Sequence, residues 1–83
     1  MKTFEVKVLA KHIKKGKRLE IGLCALALAI EEATGGRCLV YGDDFALNGI
    51  RGLLPTSACE FRFNFDQCKK DVKPFTFTLE VPT

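Results

Sequence analysis

Leu19 to Ala33, LEIGLCALALAIEEA, decides how the rest of the chain is read, because it is the one segment both apolar and long enough to form the central helix of a core. Leu19, Leu23, Leu26, Ile30 and Ala33 recur at steps of four, three, four and three, the spacing of one face of a 3.6-residue helix. That stripe is expected to face a sheet. Gly22, Ala25 and Ala29 form a second, small-residue face that admits close backbone approach, from this chain or from a second copy in a homodimer.

Outward from that helix the pattern is strand-like. Before it, Phe4, Val6 and Val8 alternate with Thr3, Glu5 and Lys7, the period of a strand with one wet face. Lys11 to Gly16 reads as a helical turn with Ile13 inward, closed by Gly16 in a left-handed cap. After it, Thr34-Gly35-Gly36 ends the helix, since Glu31 and Glu32 oppose the dipole preference there. Arg37 to Tyr41 is a short apolar strand, Gly42-Asp43-Asp44 a turn, and Phe45 to Leu47 a further strand. Asn48-Gly49 is the strongest hairpin signal in the chain and leads into a return strand, Ile50 to Leu54. Residues 55–69 satisfy two patterns. Cys59, Phe61, Phe63 and Phe65 alternate as a strand would, whereas Ala58, Phe61, Phe65 and Cys68 fall at helical steps behind a capping box of Ser57 and Glu60. The helix is preferred, with Phe63 left partly exposed. Phe75, Phe77, Leu79 and Val81 close the chain as its clearest strand. The expected order is β-α-β-β-β-α-β, a small two-layer α+β domain whose two helices lie on one face of a mainly antiparallel sheet.

An 83-residue chain that is 47% hydrophobic has room for a single domain, residues 1–83, which buries about 60% of its unfolded surface. Charge is uneven: the first twenty residues hold seven Lys/Arg against Glu5 and Glu20, and the remainder holds six against eight acidic groups. A basic segment favours phosphate-bearing partners and argues against an acidic mimic of DNA. Cys24, Cys38, Cys59 and Cys68 include no close pair, and His12 is the only histidine, so no metal site and no cofactor is expected. Lys14 to Arg18 with the run to Ile30 imitates a signal peptide, but the strand before it and Glu20 within it argue against export. The uncharged run Ile21 to Ile30 is too short to span a membrane, which takes about 20 residues. The expectation is a cytoplasmic protein with reduced thiols.

Several fragments in fixed order carry a resemblance. They are Lys11-His12-Ile13 with Gly16, then Cys24-Ala25-Leu26-Ala27-Leu28-Ala29, then Leu54-Pro55 with Phe61, Phe65 and Asp66, then Val72, Pro74-Phe75, Phe77 and Leu79. Together they resemble a group of small proteins encoded by bacteriophages and prophages. The resemblance implies an accessory protein made inside an infected host bacterium, and it favours the helical reading of residues 55–69. Members often carry Cys where Ile21 stands and Pro where Ala25 stands, so a metal or redox role for such a Cys pair is not implied here.

The candidate binding site is the basic loop Lys11, His12, Lys14, Lys15, Lys17 and Arg18, which leads toward the N-terminus of the central helix, where free amides and the helix dipole attract anions. A nucleotide phosphate, a nucleic-acid backbone or an acidic protein surface suits it, and so does a plain solvated loop. Tyr41 and Phe63 are the available stacking aromatics. His12, among lysines, is expected to be neutral, as a ligand contact or a turn cap. Cys24 reads as a helix-start thiol or as inert core, and Asp43-Asp44 as a carboxylate pair or a polar turn. No set of residues forms a nucleophilic triad. The expected function is therefore a non-enzymatic phage accessory protein that blocks or sequesters a host bacterial protein or signalling nucleotide, with an inhibitor of antiviral defence in view. Its interface is sought at Gly22, Ala25, Ala29 and Phe63. A small nucleic-acid-binding protein and a virion assembly factor are the alternatives.

Overall fold

The computed structural model describes residues 2–67 and 72–82. β1 (Lys2–Val8) and β5 (Phe75–Val81) pair antiparallel, with Lys2 opposite Val81 and Val8 opposite Phe75. Their alternation does what the sequence predicts: Val6, Val8, Phe77, Leu79 and Val81 are buried, and the polar residues between them are exposed. β2 (Cys38–Tyr41), β3 (Asp44–Leu47) and β4 (Ile50–Leu53) form a separate antiparallel meander. The α+β class and the antiparallel pairing therefore match expectation, but the single sheet divides into one of two strands and one of three, with β4 lying beside β5. Three helices, α1 (Ala10–Lys15), α2 (Ala25–Thr34) and α3 (Thr56–Gln67), pack with them around one core.

The central helix begins six residues later than its spacing predicts. Leu19 has φ of 63°, a left-handed conformation that no helix continues through. Residues 20–24 then fold as turns in which Leu23 and Cys24 donate to the Glu20 carbonyl. The chain is drawn away from helical geometry by a tertiary bond, Val40 N–H to the Ile21 carbonyl at 2.8 Å, which lays this loop along the edge of β2. Of the predicted stripe, Leu26 and Ile30 are fully buried, while Leu19 and Leu23 are exposed in the loop and Ala33 is exposed on the helix. Cys24 caps α2 by accepting the Ala27 N–H at its sulfur. At the other end Gly35, at φ 75°, donates to the Glu31 carbonyl in the left-handed cap, and the Glu31 carboxylate accepts the Cys38 N–H at 2.9 Å.

Gly16 is not the left-handed cap expected of it. Its φ is −65° and ψ 148°, a conformation open to any residue. Proximity is what selects glycine there: a Cβ would lie 2.7 Å from the Ala25 nitrogen and 2.8 Å from the His12 carbonyl oxygen. The Asn48-Gly49 hairpin is as read, with φ of 52° and 85°. Helix α3 settles the ambiguous stretch in favour of the helix, burying Ala58, Phe61 and Phe65 and leaving Phe63 58% exposed. Ser57 is its second residue and not its cap, because the Pro55 carbonyl receives the Ala58 and Cys59 amides; Cys68 lies outside the described residues. Phe61 stacks on Phe75 with ring centroids 4.7 Å apart, joining α3 to β5.

Candidate functional site

The basic loop is divided among partners within the chain. Lys11 Nζ pairs with Glu32 at 2.7 Å. His12 is 5% exposed; its Nδ1 accepts the Leu9 N–H at 2.9 Å, so Nε2 carries the proton it donates to the Glu32 carboxylate. That neutral tautomer caps α1 and ties it to α2, and both ring nitrogens are occupied. The Lys11 hydrogen bond, then that of His12, hold Glu32 below the ordinary glutamate value. Arg18 donates from Nε to the Asp66 carbonyl at 2.7 Å and from Nη2 to the Gln67 carbonyl at 3.0 Å, placing its charge at the C-terminal end of α3, where the dipole favours a cation. The Asp66 carboxylate in turn accepts the Leu19 N–H and pairs with Arg62. Lys14 has a partner of its own, and Lys15 and Lys17 point to solvent. The N-terminus of α2 is not open to an anion, since Ala25, Leu26 and Ala27 are fully buried. The six residues thus lie along one stretch without converging on a ligand.

The small-residue face is also spent internally. Ala25 and Ala29 are 0% and 1% exposed, α2 packing on β1 and β2, and Gly22 lies off the helix against Leu39. Phe63 stands alone on the outer side of α3 beside Cys59, Glu60 and Asn64. Burial, the largest influence in each case, raises the Cys24 and Cys59 thiols and pushes Cys38 up to about 12; all three are neutral, poorly nucleophilic sulfurs. Asp44 opens β3 and pairs with Arg51 at 2.9 Å, while Asp43 sits in the turn, so the two form no dyad. Among the described residues no three metal-binding side chains gather, and no helix is long and apolar enough to cross a membrane.

What the structure does assemble is the outer face of the three-stranded sheet. Cys38, Val40, Phe45 and Leu47 turn inward and are buried, so the residues alternating with them turn out. Register places Tyr41, Asp44 and Leu53 in one row and Leu39, Ala46 and Arg51 in the next. This face is open, with Leu53 77% exposed. Across it the Arg51 guanidinium lies 5.2 Å from the Tyr41 ring centroid. A concavity of about 480 Å³ is lined by Arg37, Leu39, Tyr41, Ala46, Asn48 and Arg51. The Arg37 backbone is pinned at both ends by Asn48, whose Oδ1 accepts its N–H and whose N–H donates to its carbonyl, each at 2.9 Å, while its guanidinium has no partner among the described residues.

Sequence reasoning named Tyr41 but missed Arg37, Arg51 and Leu53. The signal was present in the alternation of RCLVY and IRGLL, once an inward face is assigned to Cys38 and Val40. Set against protein-family models, curated proteins and solved structures, the chain matches none of them.

Proposed function

We propose that this chain is a non-enzymatic accessory protein of phage type that sequesters a signalling nucleotide of the infected bacterium, and that the outer face of β2–β3–β4 is where the nucleotide lies. The observation that carries the reading is an open concavity of about 480 Å³ lined by both Tyr41 and Arg37, whose guanidinium has no partner among the described residues, a size within the range of small-ligand sites. A base stacks on the Tyr41 ring against Leu39 and Ala46. Its phosphate takes the Arg37 fork, an arrangement that suits guanidinium better than ammonium. Arg51 gives one N–H to Asp44 and keeps others for the ligand. The absence of chemistry in this reading rests on the neutral thiols and on a histidine with both nitrogens engaged. Sequestration of such a signal would disarm an antiviral response, which fits the phage resemblance.

Isothermal titration of the full chain with mononucleotides and cyclic dinucleotides tests this. Binding is expected, weakened about tenfold or more in Tyr41→Ala, the range for loss of one stacking contact, and similarly in Arg37→Ala. Absence of binding across the panel, or binding indifferent to both variants, overturns it. A protein target is the second reading, favoured by Leu53, a large apolar side chain 77% exposed on the same face. Leu53→Asp would then abolish capture of that protein while leaving nucleotide binding intact. A nucleic-acid strand would instead show affinity falling steeply with salt.

A further inference from the structure

β1 is paired with β5 along one edge, and among the described residues no strand pairs with the other. An open edge of seven residues presents a row of backbone donors and acceptors to any strand that can meet it. Beside it runs a groove of about 190 Å³ between Glu5 and Lys7 on the strand, with Leu9 just beyond it, and Ala29, Glu32 and Ala33 on α2. We infer that a second copy of this chain fills the edge with its own β1, antiparallel about a two-fold axis through Val6. The inference is independent of the ligand assigned to the other sheet.

Charge favours the occupant and, among axes at Glu5, Val6 and Lys7, selects the register. Side chains directly opposite one another must share a face, so a two-fold axis between identical antiparallel strands passes through a residue position. An axis at Glu5 sets Glu5 against Glu5, and one at Lys7 sets Lys7 against Lys7, each a destabilising like-charge pair. The axis at Val6 sets Glu5 of each copy against Lys7 of the other, two cross-strand ion pairs on the wet face. On the inner face it sets Val6 against Val6 and Phe4 against Val8. Within one copy Glu5 and Lys7 are only loosely joined, at 3.8 Å with both side chains about two-thirds exposed, and an exposed pair of this kind gives up little on exchanging partners. To a foreign strand Lys7 is a guard, a charge on an edge that discourages pairing unless a carboxylate stands opposite. This strand supplies that carboxylate to itself. The result is a four-stranded sheet, β5-β1-β1-β5, with the two α2 helices on the same side, where the small Ala29 and Ala33 line the groove between them.

Sedimentation equilibrium of the full chain, from micromolar to submillimolar concentration, reads the association directly. The unaltered chain is expected to dimerise. Glu5→Lys alone and Lys7→Glu alone each turn both ion pairs into like-charge pairs and are expected to weaken the dimer about tenfold or more. The double variant E5K/K7E restores opposite charges and is expected to recover it. Both side chains are exposed, and circular dichroism verifies that each variant is folded. A chain monomeric at every concentration overturns the inference. So does a dimer that ignores the single reversals, which would lie on another surface, or a folded double variant that fails to recover.

Discussion

Replacing Gly16 by Ala tests why this position is glycine. The site has helix-compatible φ, so no conformational penalty attaches to a side chain. The obstacle is that the new Cβ falls 2.7 Å from the Ala25 nitrogen, 2.8 Å from the His12 carbonyl oxygen and 3.0 Å from Phe65 Cζ. Two of those three atoms are backbone, belonging to α1 and to the first residue of α2, so relief requires the helices to separate and cannot come from a rotamer change. Overpacking of this kind costs about 2 to 3 kcal/mol, against a total stability of roughly 4 to 12 kcal/mol for a chain of this length. In thermal unfolding the midpoint should fall by about 10 to 20 °C. Gly35 provides the contrast. It has φ of 75° and nothing near its missing Cβ, so Gly35→Ala should cost about 1 kcal/mol from conformation alone, and Gly35→Asn should recover part of it. Gly16→Asn should recover nothing. Gly16→Ala within about 0.5 kcal/mol of the parent, or rescue by Asn at Gly16, would refute the steric account; differences below that size are ordinary for surface changes.

Further outcomes follow from the same contacts. Glu32 is held below its ordinary value of 4.5 by Lys11 and then His12, so its contribution to stability is complete above that value and is lost as pH falls through the lowered one. Chemical denaturation of the chain and of Glu32→Gln should therefore differ at neutral pH and converge in acid; a gap that widens toward low pH would contradict the assignment. Cys24 and Cys38, buried and raised, should resist a thiol reagent at pH 8 until denaturant is added, with Cys59 labelled earlier because it is only partly buried. Peptide mass mapping that finds Cys38 labelled in the native chain would mean that β2 is open in solution.

How much of this was legible in the sequence depends on the range of the interaction. β1 and β5 declare themselves because alternation is local and each has one wet face. Asn48-Gly49 does so because positive φ at two successive positions is a demand few residue pairs meet. In α3 the helical spacing of Ala58, Phe61 and Phe65 outweighed an equally good strand pattern. The start of α2 was hidden because Leu19 and Leu23 have the correct spacing, and what removes them from the helix is a bond from β2 some twenty residues away. The same holds for the basic loop. Its residue types are right for an anion site, but Glu32 and the carbonyls at the end of α3 reach Lys11, His12 and Arg18 first. Composition shows which charges a chain carries; only the fold shows which are already paired. Arg37 is the converse case, an unremarked residue whose backbone is fixed by Asn48 and whose charge meets no partner among the described residues.

The central claim, that the outer face of β2–β3–β4 holds a nucleotide, is tested most directly by native mass spectrometry of the full chain recovered from phage-challenged bacteria. A nucleotide-sized mass that leaves on denaturation, and is missing from the Tyr41→Ala and Arg37→Ala variants purified alongside, is the predicted result. A protein mass with no adduct, or an adduct retained by both variants, would contradict it.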